Sequence, residues 1–96
     1  MARPRPRRHR TIERTKAFDR DLKRLAKQGK DLDLLGVVIE RLRMGETLPT
    51  ENHDHALGGD LKGFRDCHIA PDWVLIYSLS DDVLFLARTG SHAEVF

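Results

Sequence analysis

Cysteine, aromatic residues and long apolar runs are all scarce in this chain. The single cysteine, Cys67, has no internal partner, so a disulfide framework is excluded and a reducing cytoplasm is the expected setting. No CxxC pair, P-loop, GxGxxG or HExxH motif occurs, which removes the commonest zinc, nucleotide and metalloprotease signatures. No apolar run approaches the roughly 18 residues of a membrane span, so no membrane partner is expected. The N-terminal MARPRPRRHR is basic, but no apolar segment follows it, and it does not read as a secretory signal. Pro4 and Pro6 also spoil the amphipathic helix of a transit peptide. What remains is a chain of 96 residues, 40% hydrophobic and 33% charged, polar but able to build one compact core.

The net charge of +2 conceals a steep asymmetry. Residues 1–30 carry 12 Lys/Arg against 3 acids, and residues 31–96 carry 5 against 12. Such a split predicts a polyanion-facing N-terminal part joined to a different surface. Residues 1–9 alternate Arg with Pro and offer nothing to bury, so they are expected to form a disordered basic arm. Residues 10–96 are expected to form a single domain.

Hydrophobic spacing predicts the elements. A short strand is expected at 10–14. A helix follows from about Lys16 to Gln28, with Thr15 as N-cap, Phe18, Leu22 and Leu25 on one face, and Gly29 as its stop. A second helix runs from about Leu32 to Met44 between Asp31 and Gly45, and the short link makes the pair an antiparallel hairpin. Residues 46–60 read as a long polar loop. Three strands are expected at Lys62–Ile69, Trp73–Leu79 and Val83–Ala87, with a tail from Arg88 to Phe96. The fold class is therefore α+β: an N-terminal strand, a helical hairpin, then a mainly antiparallel three-strand meander. The hairpin should cover one sheet face, and the other is expected to be open.

The chemistry-bearing residues fall late. His53, His55, His68 and His92 all lie outside the predicted helices. Histidine titrates near neutral pH unaided. Antiparallel pairing around Ala70-Pro71 would gather His68, Asp72 and His92 at one rim of the sheet. Taken singly, each has a bland reading, as an exposed loop histidine or an ordinary turn aspartate. His53-Asp54-His55 lacks the cysteines and spacing of a zinc site, so no metal is expected. Trp73 and Phe64 read as core aromatics, whereas Phe96 at the chain end could stack on a base.

Three stretches together are specific: D-H-x-L at 54–57, G-x-R-D-x-H-x-x-P-D-W-x-L-I-Y at 63–77 and R-T-G-x-H-x-x-x-F at 88–96. They resemble the YafQ branch of the RelE/ParE superfamily of bacterial toxins, and the resemblance spans residues 10–96. It implies a RelE-like fold and a ribosome-dependent endoribonuclease that cuts mRNA in the ribosomal A site. It also implies a cognate antitoxin, with the ribosome, its rRNA and mRNA as the other partners, and a cytoplasmic location. Matched by position, His55, His68, Asp72, His92 and Phe96 take the family's active-site places. Trp73 accompanies them, and Arg88 lies beside them as a candidate phosphate contact. No cofactor or metal is required, because RNA carries its own nucleophile in the 2′-OH. His92 is expected to act as general acid and Asp72 or His55 as general base, with His68 orienting the site or stabilising charge. Arg14, Lys16, Arg20, Lys23, Arg24 and Lys27 are expected to meet rRNA phosphates. A ParE-like inhibitor of DNA gyrase and a non-catalytic RNA- or protein-binding module are the alternatives, and the His/Asp set weighs against the first.

Overall fold

The computed structural model describes residues 9–96. All of the basic arm except His9 lies outside them. Thr11–Arg14 forms strand β1, Lys16–Lys27 helix α1 and Leu32–Arg43 helix α2. Strands β2 (His55–Ala56), β3 (Arg65–Ala70), β4 (Trp73–Leu79) and β5 (Val83–Gly90) follow, and His92–Val95 forms the short helix α3. Five strands make one sheet in the order β1-β5-β4-β3-β2. Only β1 pairs in parallel, beside β5.

The helices start and stop where their side chains demand. Thr15 Oγ1 accepts the Phe18 amide at 2.9 Å and donates to the Ala87 carbonyl at 2.7 Å, so one cap also ties α1 to β5. Asp31 caps α2 through the Asp33 amide. Gly29 and Gly45 take positive φ just past each helix end, which glycine adopts without strain. Phe18 and Leu25 of α1, with Leu35, Val38 and Leu42 of α2, pack on Cys67, Leu75, Tyr77, Leu84 and Leu86 of the sheet. The hairpin therefore covers one sheet face, as its hydrophobic stripes predict.

Several boundaries differ from the sequence expectation. Strand β3 starts at Arg65, because a 3₁₀ turn at Gly59–Leu61 and a positive φ at Gly63 occupy the residues before it. The presumed tail continues β5 to Gly90, since Thr89 and Gly90 pair with Leu75 and Val74. His92 then lies in a helix, with Ser91 and Glu94 forming its capping box. The long loop is not featureless: Thr50–Asn52 makes a 3₁₀ turn and β2 adds an edge strand to β3. The second sheet face is not simply open either. Val74 and Ile76 alternate with the helix-facing residues of β4 and are both buried.

Candidate active site

The site forms where the β3–β4 turn meets α3. Pro71-Asp72 makes the turn, and Asp72 takes φ 53°, a left-handed conformation that aspartate tolerates. This aims its carboxylate at α3. Asp72 Oδ1 accepts the His92 amide at 3.2 Å and His92 Nδ1 at 3.1 Å. These bonds from His92 hold the Asp72 carboxyl below its ordinary value, so it stays ionised through the neutral range. Since the carboxylate accepts at Nδ1, that nitrogen carries the proton and Nε2 is left to face a ligand.

A line of rings extends from His92. Its imidazole stacks on Phe96 with centroids 5.8 Å apart, and His68 meets it edge-on at 5.6 Å. His53 lies 5.2 Å beyond His68. Phe96 is 55% exposed, so one face of its ring remains open to a ligand. The spacing argument for His68, Asp72 and His92 thus matches the geometry, and His53 joins them from the long loop.

His55 sits on edge strand β2, opposite Asp66 of β3. Its Nδ1 lies 2.7 Å from the His53 carbonyl. A carbonyl only accepts, so Nδ1 carries hydrogen and Nε2 of the neutral ring is a base. Nε2 lies 3.9 Å from a carboxylate oxygen of buried Asp66. Asp54, between the two histidines, accepts hydrogen bonds from Tyr77 and Arg65, which pins this segment to the sheet.

A buried ionic network holds α3 in place. Asp21 of α1 is 1% exposed. It accepts Arg88 Nε at 2.7 Å, Arg24 at 2.8 Å and the Thr89 amide at 3.0 Å. Burial pushes its carboxyl up, but the bonds from Arg88, Thr89 and Arg24 outweigh burial and hold it below the ordinary value. Arg24 Nε also pairs with Glu94 of α3 at 3.0 Å, and Arg88 donates to the Glu94 carbonyl at 3.2 Å. Thr89 Oγ1 accepts Trp73 Nε1 at 2.9 Å, so the residue beside Asp72 joins the same network.

These contacts correct two expectations. Arg24 is not a free phosphate contact, because Asp21, Glu94 and the Thr89 carbonyl engage its guanidinium. Arg88 is likewise committed to Asp21 and Glu94. Trp73, 3% exposed, packs in the core, as its reading as a core aromatic expects, beside the Asp72 turn and not on the rim itself. Lys16, Arg20, Lys23 and Lys27 do form an exposed stripe at helical spacing on α1, and Arg14 is exposed beside them with Asp19 as its ion partner. Sequence reasoning missed Asp21 and Glu94, whose bonds to Arg88 and Arg24 span 67 and 70 positions. Cys67 is buried, and burial pushes its thiol up to about 12, so it is no nucleophile. No group of three or more His, Cys, Asp or Glu is arranged to hold a metal among the described residues.

Gly90 sits where β5 meets this network. Its φ is +150°, and an added Cβ would lie 2.5 Å from an Arg24 nitrogen and 2.7 Å from a Glu94 oxygen. Gly90→Ala is expected to cost about 1–3 kcal/mol through backbone strain. The Arg24–Glu94 pair would also be displaced. A drop in the thermal midpoint is the expected readout; an unchanged midpoint would show that the junction tolerates a side chain.

Comparison with known proteins assigns the fold to a family. The family model for the bacterial toxin of type II toxin–antitoxin systems, YafQ, matches residues 10–96. The mRNA interferase toxin YafQ of Escherichia coli K12 is 42% identical over 89 residues, covering 91% of this chain and 96% of that protein. A crystal structure of YafQ from E. coli BL21(DE3) superposes with a TM-score of 0.84 at 40% identity, covering 91% of this chain and 98% of that one. The toxin in a crystal structure of the E. coli DinJ–YafQ toxin–antitoxin complex matches with a TM-score of 0.85 at 40% identity, covering 92% and 98%.

Proposed function

This chain belongs to the YafQ family of bacterial toxins, and from that membership and its site we propose a ribosome-dependent endoribonuclease that cleaves mRNA in the ribosomal A site. The activity class, an mRNA interferase, follows the family. The observation that carries the mechanism is the Asp72–His92 pair on an exposed rim, with His68 edge-on to His92.

The reaction needs no metal, because the 2′-oxygen adjacent to the scissile phosphate attacks phosphorus. A base removes the 2′-OH proton as the O–P bond forms. An acid gives a proton to the 5′-oxygen as its bond to phosphorus breaks. His92 is the acid: ionised Asp72 stabilises its imidazolium and fixes Nε2 outward. His55 is the base, with Nε2 free to accept and Asp66 close enough to stabilise the charge it gains. Asp72 suits the base role less well, because its hydrogen bonds to His92 lower its proton affinity. His68, edge-on to His92, stabilises the charge that develops on the phosphorane. Phe96 stacks on a base of the substrate, and Trp73 supports Asp72. The α1 stripe of Lys16, Arg20, Lys23 and Lys27, with Arg14, meets rRNA phosphates in a salt-sensitive, sequence-blind contact. A cognate antitoxin blocks the site, as DinJ accompanies YafQ in the E. coli complex. The described residues contain no helix long and apolar enough to cross a membrane, in keeping with action in the cytoplasm.

Mapping mRNA cuts by primer extension after induction tests the activity, using translated and untranslated transcripts. Cuts confined to translated message support it. Supercoiling defects without cuts would mean a gyrase inhibitor instead.

The assignment of base is tested by pH. General acid–base catalysis gives a rate that falls at both low and high pH, and substitution shows which residue carries each limb. His55→Gln should remove the acidic limb. Asp72→Asn should keep that limb at a lower plateau, since His92 loses its orienting partner. An acidic limb that survives in His55→Gln and vanishes in Asp72→Asn would reverse the assignment.

A further inference from the structure

His53 has no part in the acid–base scheme, yet its ring is built into the site. It ends the Thr50–Asn52 turn in the left-handed region, at φ 48°, a conformation few non-glycine residues hold without surrounding support. That support is visible on both sides. Asn52 Nδ2 donates to the His68 carbonyl at 2.7 Å, fastening the turn to β3. Asp54 is held by Tyr77 and Arg65. The result places the exposed His53 ring 5.2 Å from His68, at a tilt of 52°. A groove of about 360 Å³ opens here, with His53 and His68 as one wall and Ile69, Ala70 and Pro71 as an apolar strip. The groove is continuous with the catalytic rim, because His68 belongs to both and Pro71 adjoins Asp72.

We propose that this groove is a nucleobase subsite, in which the base of a nucleotide next to the cleaved bond stacks on the His53 ring. The inference rests on the endoribonuclease reading and adds a substrate contact to it. A flat aromatic ligand suits the lining: one imidazole face, an apolar strip and Glu51, whose carboxylate can accept an N–H from a base edge. Phe96 lies at the opposite end of the same line of rings, beyond His92. The acid would thus sit between two stacking platforms, one for each nucleotide flanking the scissile phosphate. Two such platforms hold the phosphate in register without touching it, which leaves His55, His68 and His92 free for the chemistry.

Single-turnover cleavage of a defined mRNA on programmed ribosomes separates this role from others. His53→Asn keeps the tolerance for a left-handed backbone, and the carbonyl that orients His55, but lacks the ring. It should raise the half-saturating toxin concentration roughly 5- to 100-fold, the range associated with stacking one base. The maximal rate and its pH profile should stay unchanged. His53→Phe should restore the concentration dependence, and thermal unfolding of each variant checks that the fold is kept. A reduced maximal rate with unaltered half-saturation would overturn the proposal. So would rescue by His53→Lys and not by His53→Phe, which would point to a phosphate contact. Absence of cuts by the unsubstituted chain would overturn the nuclease reading and this subsite with it. Cuts that are indifferent to His53 would overturn the subsite alone.

Discussion

Replacing His92 with glutamine is expected to lower the cleavage rate about 10²- to 10⁴-fold, the contribution of a positioned general acid. Glutamine can still donate to Asp72 and occupy similar space, but it cannot deliver a proton to the 5′-oxygen. The loss should therefore fall on the maximal rate, with half-saturation little changed. His92 is about half exposed, so stability should be nearly unaffected. Parallel cleavage and thermal-unfolding measurements check both parts. A variant that cuts at the original rate would remove His92 from the mechanism. One that unfolds would mean that its bond to Asp72 is chiefly structural.

Asp21→Ala should have the largest effect on stability. Removing a buried partner leaves Arg88 and Arg24 facing each other without their shared counter-charge, and the Thr89 amide without its acceptor. Breaking a buried pair costs about 3–5 kcal/mol. Both arginines are about one-third exposed, so water recovers part of the loss and about 3 kcal/mol is the better expectation. For a domain of this size that corresponds to roughly 10–20 °C in thermal midpoint.

The same carboxylate implies a pH dependence. Its folded value lies below the ordinary 3.8, so its stabilisation is complete above that value and is lost as pH falls through the lowered one. The unsubstituted chain should destabilise in that acid window, and Asp21→Ala should show a flatter stability profile there. Equal profiles would place the acid sensitivity elsewhere. Cleavage should also suffer beyond the loss of folded protein, because Asp21 anchors both Arg24 and Arg88, which hold the helix carrying His92.

Much of this molecule is legible residue by residue. The Thr15 and Asp31 caps, the Gly29 and Gly45 stops and the apolar stripes of both helices are local features, and local rules locate them. The turn at Pro71-Asp72 is equally local, and it suffices to bring His68 close to Asp72. The resemblance of 54–57, 63–77 and 88–96 to YafQ toxins points to the remaining site residues. Where the reading falls short, the missing information is long-range. Arg88–Gly90 look like a tail because nothing in them announces that Val74 and Leu75 will be their partners. Residues 55–56 look like loop because a two-residue strand has no pattern of its own.

The sequence alone determines the helical hairpin, the meander and the residues able to move protons, since these depend on neighbours a few positions apart. Only the tertiary structure decides which charges are available. On the sequence, Arg24 and Arg88 resemble Lys23 and Lys27, and Asp21 resembles any acid on a polar helix face. Packing α1 across β5 buries Asp21, and a buried carboxylate must be matched. That requirement engages two arginines that stay about one-third exposed, locks α3 beside the β3–β4 turn and fixes the position of His92.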